Sequence, residues 1–375
     1  MERWKISYAP RFAEGSVEDD LQELLVSGVL VDEDLARRID RLAERFRIYA
    51  RYYPHGMWAP GAAINGEMRN LTETYLPMGE ICRAFDRLFS LALKFPPLRA
   101  ASILHGSVGW LDFLQTLHPV VHHADPSALL RSLMADERLR RSFIFANFIP
   151  SRYGGGFGRY PQQHSFLAGW LAANRARLAG GVRSLDAACG TGEGTYELAR
   201  LLMCSGFPAD VIRVRGTTLE PLEMFAAAHA HFPHDPKREA LFRHHIKRLL
   251  DCAAIEKISF HLERIGEEGA AEEECDIILC NGLLGGPFLH TQDKISAAVE
   301  SLAGRLAPGG VILAADRFHG GWKKLVDEEM MRKVLTACGL RILPVAEGVG
   351  GEKERRSAIS GQRSRHLKPD QHAAP

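Results

Sequence analysis

The chain has 375 residues, 46% of them hydrophobic and 25% charged, with 47 Lys and Arg facing 46 Asp and Glu. That is length enough for one large domain and a smaller one, each able to bury a core. The even charge balance leaves no electrostatic footprint for nucleic acid. Seven dispersed cysteines without a CxxC pair argue against a disulfide framework.

The opening MERWKISYAPRF has no apolar run long enough for a signal peptide. The most apolar long stretch, LFSLALKFPPLRAASILHGSVGWLDFL, is broken by Lys94, Arg99, His105 and the pair Pro96-Pro97. It reads as buried helices and not as a bilayer span. A cytoplasmic protein with no membrane partner is expected.

Residues 1–150 carry helical spacing from about position 16 onward. SVEDDLQELLVSGVL opens with Ser16 as a cap and acids in its first turn. DEDLARRIDRLAERFRIYARYY then repeats apolar residues at Leu35, Ile39, Leu42 and Phe46, a 3–4 spacing. A loop rich in Pro, Gly and aromatics follows, YYPHGMWAPGAAINGE, and three more helical stretches run from about Met78 to Ala146. No strand-period alternation appears, so this region is expected to form an α-helical N-terminal domain.

PSRYGGGFGRYP, residues 150–161, reads as a hinge. Beyond it the apolar runs VRSLDAA, DVIRVRGTTLE, KISFHLE, CDIILCN and GVILAAD alternate with helical stretches. Those helices fall near 162–179, 193–205, 221–252, 292–305 and 322–338. Such alternation predicts a parallel sheet covered on both faces, an α/β domain over 151–361. LRILPVAE and RRSAISG read as an antiparallel hairpin at its edge, and the polar stretch 362–375 as a disordered tail.

In such a sheet ligands bind at the carboxyl ends of the strands, where the first strand turns into its helix. LDAACGTGEG, residues 185–194, sits at that turn, and its glycines permit positive φ and a close backbone approach. A P-loop needs Lys followed by Ser or Thr; Glu193-Gly194-Thr195 stands there instead, which argues against a nucleoside triphosphate. The same glutamate argues against a pyrophosphate. A nucleoside without phosphate fits better, and S-adenosylmethionine offers a ribose diol, a zwitterionic end and a sulfonium. Glu220, closing VIRVRGTTLEP, can accept both ribose hydroxyls.

LDAACGTGEG, LEP, CDIILCNGLLGG and LAPGGVILAAD, in that order, resemble the successive motifs of class I S-adenosylmethionine-dependent methyltransferases. The resemblance covers about residues 157–361 and implies a Rossmann-like, mostly parallel, seven-stranded sheet. Within the superfamily, AACGTGEGTYELARLL is most similar to the CheR-type chemotaxis receptor methyltransferases. GFGRYPQQHSFLAGWL resembles their Phe-Phe-Arg segment, which maps onto Phe157 and Arg159 and implies a contact with the cofactor's carboxylate. Two departures stand out. The receptor enzymes insert a small β subdomain between the second and third strands, where PLEMFAAAHAHFPHDPKREALFRHHIKRLLDCAA here reads as helix throughout. Cys280-Asn281-Gly282 replaces their Cys-Arg-Asn. The cofactor follows from the resemblance; the receptor substrate does not.

The candidate cofactor contacts are Arg159, Asp186, Ala188, Cys189, Gly190, Thr191, Gly192, Glu193, Glu220, Glu263, Asn281, Gly282 and Leu283. Gly190 and Gly192 shape the turn, with Ala188 where many methyltransferases carry glycine. Asp186 and Glu193 are candidates for the amino-acid end, Glu263 for the adenine side, and Asn281 for the methyl-transfer region. His290 and His319, after the fourth and fifth strands, are candidate proton acceptors. His229, His231, His234, His244 and His245 have no companion carboxylate or cysteine at ligand spacing, so they read as a solvated helical face and no metal is expected. Tyr52, Tyr53 and Trp58 are a candidate roof. The expected activity is methyl transfer to an O, N or carboxylate acceptor on a small molecule or protein. The alternatives are a CheR-like glutamate methyltransferase, a nicotinamide oxidoreductase and a non-catalytic cofactor-binding scaffold.

Overall fold

The computed structural model describes residues 6–53, 59, 61–121, 123–149, 156–266, 274–286, 289–315 and 325–355. Its first element is a strand, β1 (Ser7–Tyr8), followed by helices α1 (Glu14–Leu24), α2 (Glu33–Tyr52), α3 (Gly66–Tyr75), α4 (Met78–Ala92), α5 (Ile103–Gly106), α6 (Trp110–Leu117), α7 (Pro126–Ala135) and α8 (Glu137–Phe148). In α2 the Asp32 carboxylate accepts the Leu35 amide at 2.8 Å, and the stripe Leu35, Ile39 and Leu42 is buried.

Two expectations for this region need correction. Helix α1 starts ahead of Ser16, with Ala13 at its cap, and the Ser16 hydroxyl instead donates to the Ala13 carbonyl at 2.9 Å. Helix α3 forms in a stretch with no helix assigned, nucleated by Asn65, whose side chain accepts the Met68 amide at 2.8 Å. The apolar run around Pro96-Pro97 buries into an aromatic centre where Phe85 stacks on Phe143 at 5.5 Å and Trp110 on Phe113 at 5.1 Å. No described helix is long and apolar enough to cross a membrane.

The sheet is built from β2 (Val182–Ala187), β3 (Ile212–Thr218), β4 (Ile258–Leu262), β5 (Cys275–Leu279), β6 (Leu306–Ala314), β7 (Leu340–Leu343) and β8 (Val349–Lys353) together with β1. Its order is β1-β4-β3-β2-β5-β6-β8-β7. The five strands β4, β3, β2, β5 and β6 run parallel, while β1 on β4, β8 on β6 and β7 on β8 are antiparallel. The sheet is thus eight-stranded and mixed where seven strands, mostly parallel, were expected. The additional strand is two residues from the N-terminal region, too short to show a period.

The edge hairpin also differs in place. Leu340–Leu343 pairs with Val349–Lys353, and residues 356–361 of the expected partner segment lie outside the described residues. A Cβ on Gly350 would come within 2.6 Å of Val345 Cγ2 and 2.9 Å of Leu313 Cδ2, so glycine is what lets β8 run between its neighbours.

Helices α9 (Pro161–Ala173), α10 (Glu193–Cys204), α11 (Pro221–His229), α12 (Pro236–Asp251), α13 (Gln292–Gly304) and α14 (Glu328–Ala337) cover the sheet. The stretch 221–252 is two helices, since Ala230 turns left-handed at φ +47° and Asp235 caps the second helix. One apolar cluster runs from the N-terminal helices through α10 and α11 to the sheet, where Phe145 meets Phe225 edge-on at 6.0 Å. A second cluster lies under α13 and α14. Residues 150–155 of the expected hinge and the tail 362–375 lie outside the described residues.

Candidate functional site

Strand β2 has β3 on one side and β5 on the other, so the connections part at its carboxyl end. The crevice outside such a switch point is where doubly wound sheets bind ligands. Three residues of the turn leaving β2 have left-handed backbone: Ala188 at φ +63°, Gly190 at +54° and Gly192 at +89°. The Cys189 amide donates to the Thr217 carbonyl at 2.8 Å, which fastens this turn to the end of β3.

A cleft of about 930 Å³ opens above the turn. Its floor includes Arg159, Asp186, Ala188, Cys189, Gly190, Thr191, Glu193, Glu220, Glu263, Asn281, Gly282 and Leu283. The structure thus gathers these sequence candidates on one surface. Its roof is the segment that leads from α4 into α6, with Leu98, Ser102, Ile103 and Val108, then Asp112 of α6, together with Phe148. Of the expected roof residues, Tyr52 and Tyr53 do not line the cleft, and Trp58 lies outside the described residues.

The two turn glycines have different surroundings. No atom lies within 4 Å of a Cβ built on Gly190, whereas one on Gly192 would sit 2.7 Å from Ala227 Cβ and 3.0 Å from Phe260. Gly190 therefore leaves room in the cleft, and Gly192, which does not line it, lets α10 pack closely on α11 and β4.

Among the described residues the lining is acidic, with Asp112, Asp186, Glu193, Glu197, Glu220, Glu223 and Glu263 against Arg159, Arg264 and Lys294. Burial pushes the Asp186 carboxyl up to about 7, although it accepts the Thr195 hydroxyl at 2.8 Å. Burial, and then the charge of Glu223, push Glu220 up to about 8. Its two protein hydrogen bonds are long, 3.4 Å from the Leu98 amide and 3.5 Å from the Leu222 amide. Glu197, which accepts the Gly158 amide at 2.6 Å, and Glu223, which accepts the Thr218 hydroxyl at 2.7 Å, are also raised by burial. Neither acid was singled out from sequence. Helical spacing was the available signal, since they follow Glu193 and Glu220 by four and three positions.

Other candidates are engaged by protein partners. Glu193 is buried against Arg238 of α12 at 2.8 Å and accepts the Thr191 hydroxyl at 2.7 Å. Glu263 is held by Arg305 and, at 3.4 Å, by Arg215. The Asn281 amide exchanges two hydrogen bonds with Gln163 of α9, at 3.1 and 2.9 Å, and accepts the Ala315 amide at 2.9 Å. His290 is exposed and does not line the cleft, and His319 lies outside the described residues.

The histidine cluster needs correction as well. His244 and His245 are exposed, but His229 is fully buried, its Nδ1 2.7 Å from the Arg11 carbonyl and its Nε2 3.0 Å from Asp20. His231 and His234 are half-buried. His229 is buried as the last residue of α11, and His231 and His234 fall in the turn between α11 and α12. No group of three or more metal-ligating side chains occurs among the described residues.

No protein-family model and no curated protein matches the chain. Among solved structures, it is similar to magnesium protoporphyrin IX methyltransferase from Synechocystis PCC 6803 with bound SAM, at 17% identity and TM-score 0.36, over 58% of this chain and 98% of that one. A S-adenosylmethionine-dependent methyltransferase from Clostridium acetobutylicum ATCC 824 matches at 15% identity and TM-score 0.36, over 59% and 100%. The N-methyltransferase NodS from Bradyrhizobium japonicum WM9 matches at 17% identity and TM-score 0.34, over 52% and 99%.

Proposed function

We propose that the chain is an S-adenosylmethionine-dependent methyltransferase acting on an O, N or carboxylate acceptor held between the sheet and the roof segment. The observation that carries the reading is the set of buried, incompletely bonded carboxyls around a left-handed glycine turn at the switch point. Glu220 has two long hydrogen bonds and is fully buried, so its oxygens retain capacity for a ribose diol. The open space at Gly190 suits close passage of the ligand past the backbone. Asp186 and Glu197 suit an ammonium, and Arg159 a carboxylate. An acidic lining favours a sulfonium and opposes a pyrophosphate.

When bound, the cofactor supplies an electrophilic methyl carbon. The chain's own residues then have to hold the acceptor behind that carbon and exclude water, and positioning alone can supply several kcal/mol of such a barrier. Leu98, Ile103, Val108 and Phe148 give the roof an apolar underside for this task. The interval between β3 and β4 consists of helices α11 and α12 and a short 3₁₀ turn, which lends no support to receptor docking by a β subdomain.

Isothermal titration of the purified protein with S-adenosylmethionine, S-adenosylhomocysteine and NAD, run in parallel, tests the reading. Binding of the two adenosyl-sulfur compounds alone is the expected result. Binding of NAD alone, or of none, overturns it.

A further inference from the structure

One side chain of the roof is connected to a base. The Ser102 Oγ lies 2.8 Å from His105 Nδ1, and His105 Nε2 lies 3.0 Å from Asp86 Oδ1 of α4. A carboxylate can only accept, so Nε2 carries the ring proton and Nδ1 of the neutral imidazole is left to accept the Ser102 hydroxyl. Asn147, itself buried, donates its amide to Ser102 Oγ at 3.0 Å; its carbonyl accepts the Leu104 amide at 3.0 Å and lies within reach of the Ser102 hydroxyl at 3.3 Å, farther than His105 Nδ1. Ser102 is buried, and it lines the cleft. Asp86 is a quarter exposed and pairs on its other oxygen with Arg99 at 2.9 Å.

The neighbouring polar groups of the roof are spent locally. The Ser107 hydroxyl donates to the Ile103 carbonyl at 2.7 Å and that of Thr116 to the Asp112 carbonyl at 2.8 Å. The Asp112 carboxylate is engaged by Arg69, at 2.9 Å for the shortest contact. A helix cap explains little of the Ser102 arrangement, because the capping bond from the His105 amide is long, 3.4 Å, and a cap needs neither an imidazole nor a carboxylate from another helix.

We propose that Ser102, His105 and Asp86 form a proton relay leading from the acceptor site to solvent, with Ser102 as the catalytic group and His105 and Asp86 as positioning groups behind it. The acceptor is then one that carries a proton on its nucleophilic atom, a hydroxyl being the simplest case, and not an ionised carboxylate. This substrate class rests on the methyl-transfer reading. In the reaction the acceptor's oxygen forms its bond to the methyl carbon as the carbon–sulfur bond breaks, with the electron pair going to sulfur. The acceptor's proton passes to Ser102 Oγ while the Ser102 proton passes to His105 Nδ1. The imidazolium is balanced by Asp86, at the exposed end of the chain of contacts, and the proton leaves to water.

The relay makes the Ser102 oxygen more nucleophilic whether or not any acceptor or cofactor is bound, and diisopropyl fluorophosphate reads this directly. A Ser102 oxygen–phosphorus bond forms, fluoride leaves, and the proton goes to His105. Mass spectrometry is expected to locate the adduct on Ser102 in the wild-type chain. His105→Gln keeps a hydrogen-bonding partner but no base, and should slow labelling tenfold or more; Asp86→Asn should slow it less. S-adenosylmethionine titration of both variants should match wild type, which certifies their folding. No Ser102 adduct in the wild-type chain, or an unchanged rate in both variants, overturns the relay. Normal labelling in a wild-type chain that binds no S-adenosylmethionine would leave the relay standing and remove the methyl-transfer reading instead. Should one variant fail to fold, the other carries the comparison.

Discussion

The carboxylate of Glu220, the cap of α11 just past β3, accepts the backbone amide of Leu98, 122 residues earlier in the chain, at 3.4 Å. A buried acid of the cleft floor is thereby tied to the roof segment, and roof position and the acid's charge state are linked through one long hydrogen bond.

Glu220 is raised to about 8 in the folded protein from an ordinary value of 4.5, chiefly by burial. Between those values the folded chain holds a proton that the unfolded chain releases, so this group's contribution to stability is full below 4.5 and is lost as pH rises through 8. A ligand whose hydroxyls donate to the ionised carboxylate must displace that proton. S-adenosylmethionine should therefore bind more tightly from pH 6 to 8.5, by at most roughly tenfold per unit for one proton released. Titration in phosphate and in Tris should show proton release below pH 8, and Glu220→Gln should reduce it, most clearly between pH 7 and 8, while weakening binding.

The two turn glycines should fail differently. Gly190→Ala places a methyl in open space at φ +54°, a strain of about 1 kcal/mol. It should lower the melting temperature slightly and weaken S-adenosylmethionine binding strongly. Gly192→Ala meets Ala227 at 2.7 Å and Phe260 at 3.0 Å with φ at +89°, which should cost about 2 kcal/mol or more through overpacking and backbone strain. Paired calorimetric melts and titrations separate the two. Equal loss of stability in both would contradict the division of roles.

The five parallel strands were legible because buried strands of such a sheet are continuous apolar runs bounded by helical periods. β1 was not, having two residues, and β8 was not, since Gly350 and Gly351 lack the side chains that mark a strand. Glu197 and Glu223 carry no signal beyond helical spacing, whereas Asp186, Glu193 and Glu220 could be read from the glycine turn and the ends of the strands. That Glu193 faces Arg238 could not, because the pairing depends on how α12 folds back after the left-handed Ala230. Ser102 and His105 stood three apart in plain sight, yet only the packing of α4 against α5 brings Asp86 to the ring.

The Glu193–Arg238 pair gives a stability prediction. Both side chains are almost excluded from solvent, at 5% and 12% exposure, and the guanidinium also stacks over Phe232 at 4.4 Å. Arg238→Met leaves a buried carboxylate beside other acids and should cost about 3–5 kcal/mol, the range for breaking a buried pair from one side. Adding Glu193→Gln should restore part of the loss, because the uncompensated charge is then gone. Urea unfolding of the four chains in a double-mutant cycle measures the coupling. A double variant no more stable than Arg238→Met would show that packing, and not charge, holds α12 to the turn.

Acid should expose the opposite behaviour in the inward-turned histidines. Burial, the largest cause, depresses His234 to about 4 from an ordinary 6.5, and it also lowers His229 and His231. Below 6.5 the unfolded chain takes up protons that the folded chain refuses, so stability present above 6.5 is lost as pH falls toward 4. Glu220 and Asp186 act in the other direction over part of the same range, because their raised values make the folded state the better proton binder. The wild-type profile is thus a sum of opposing slopes, and only comparison of variants resolves it. His234→Leu should melt closer to its neutral-pH temperature when taken from pH 6.5 to 4.5 than wild type does, while Glu220→Gln should lose more on the same step. Scanning calorimetry at the two pH values reads both differences, and parallel profiles for all three chains would mean that neither group carries the linkage.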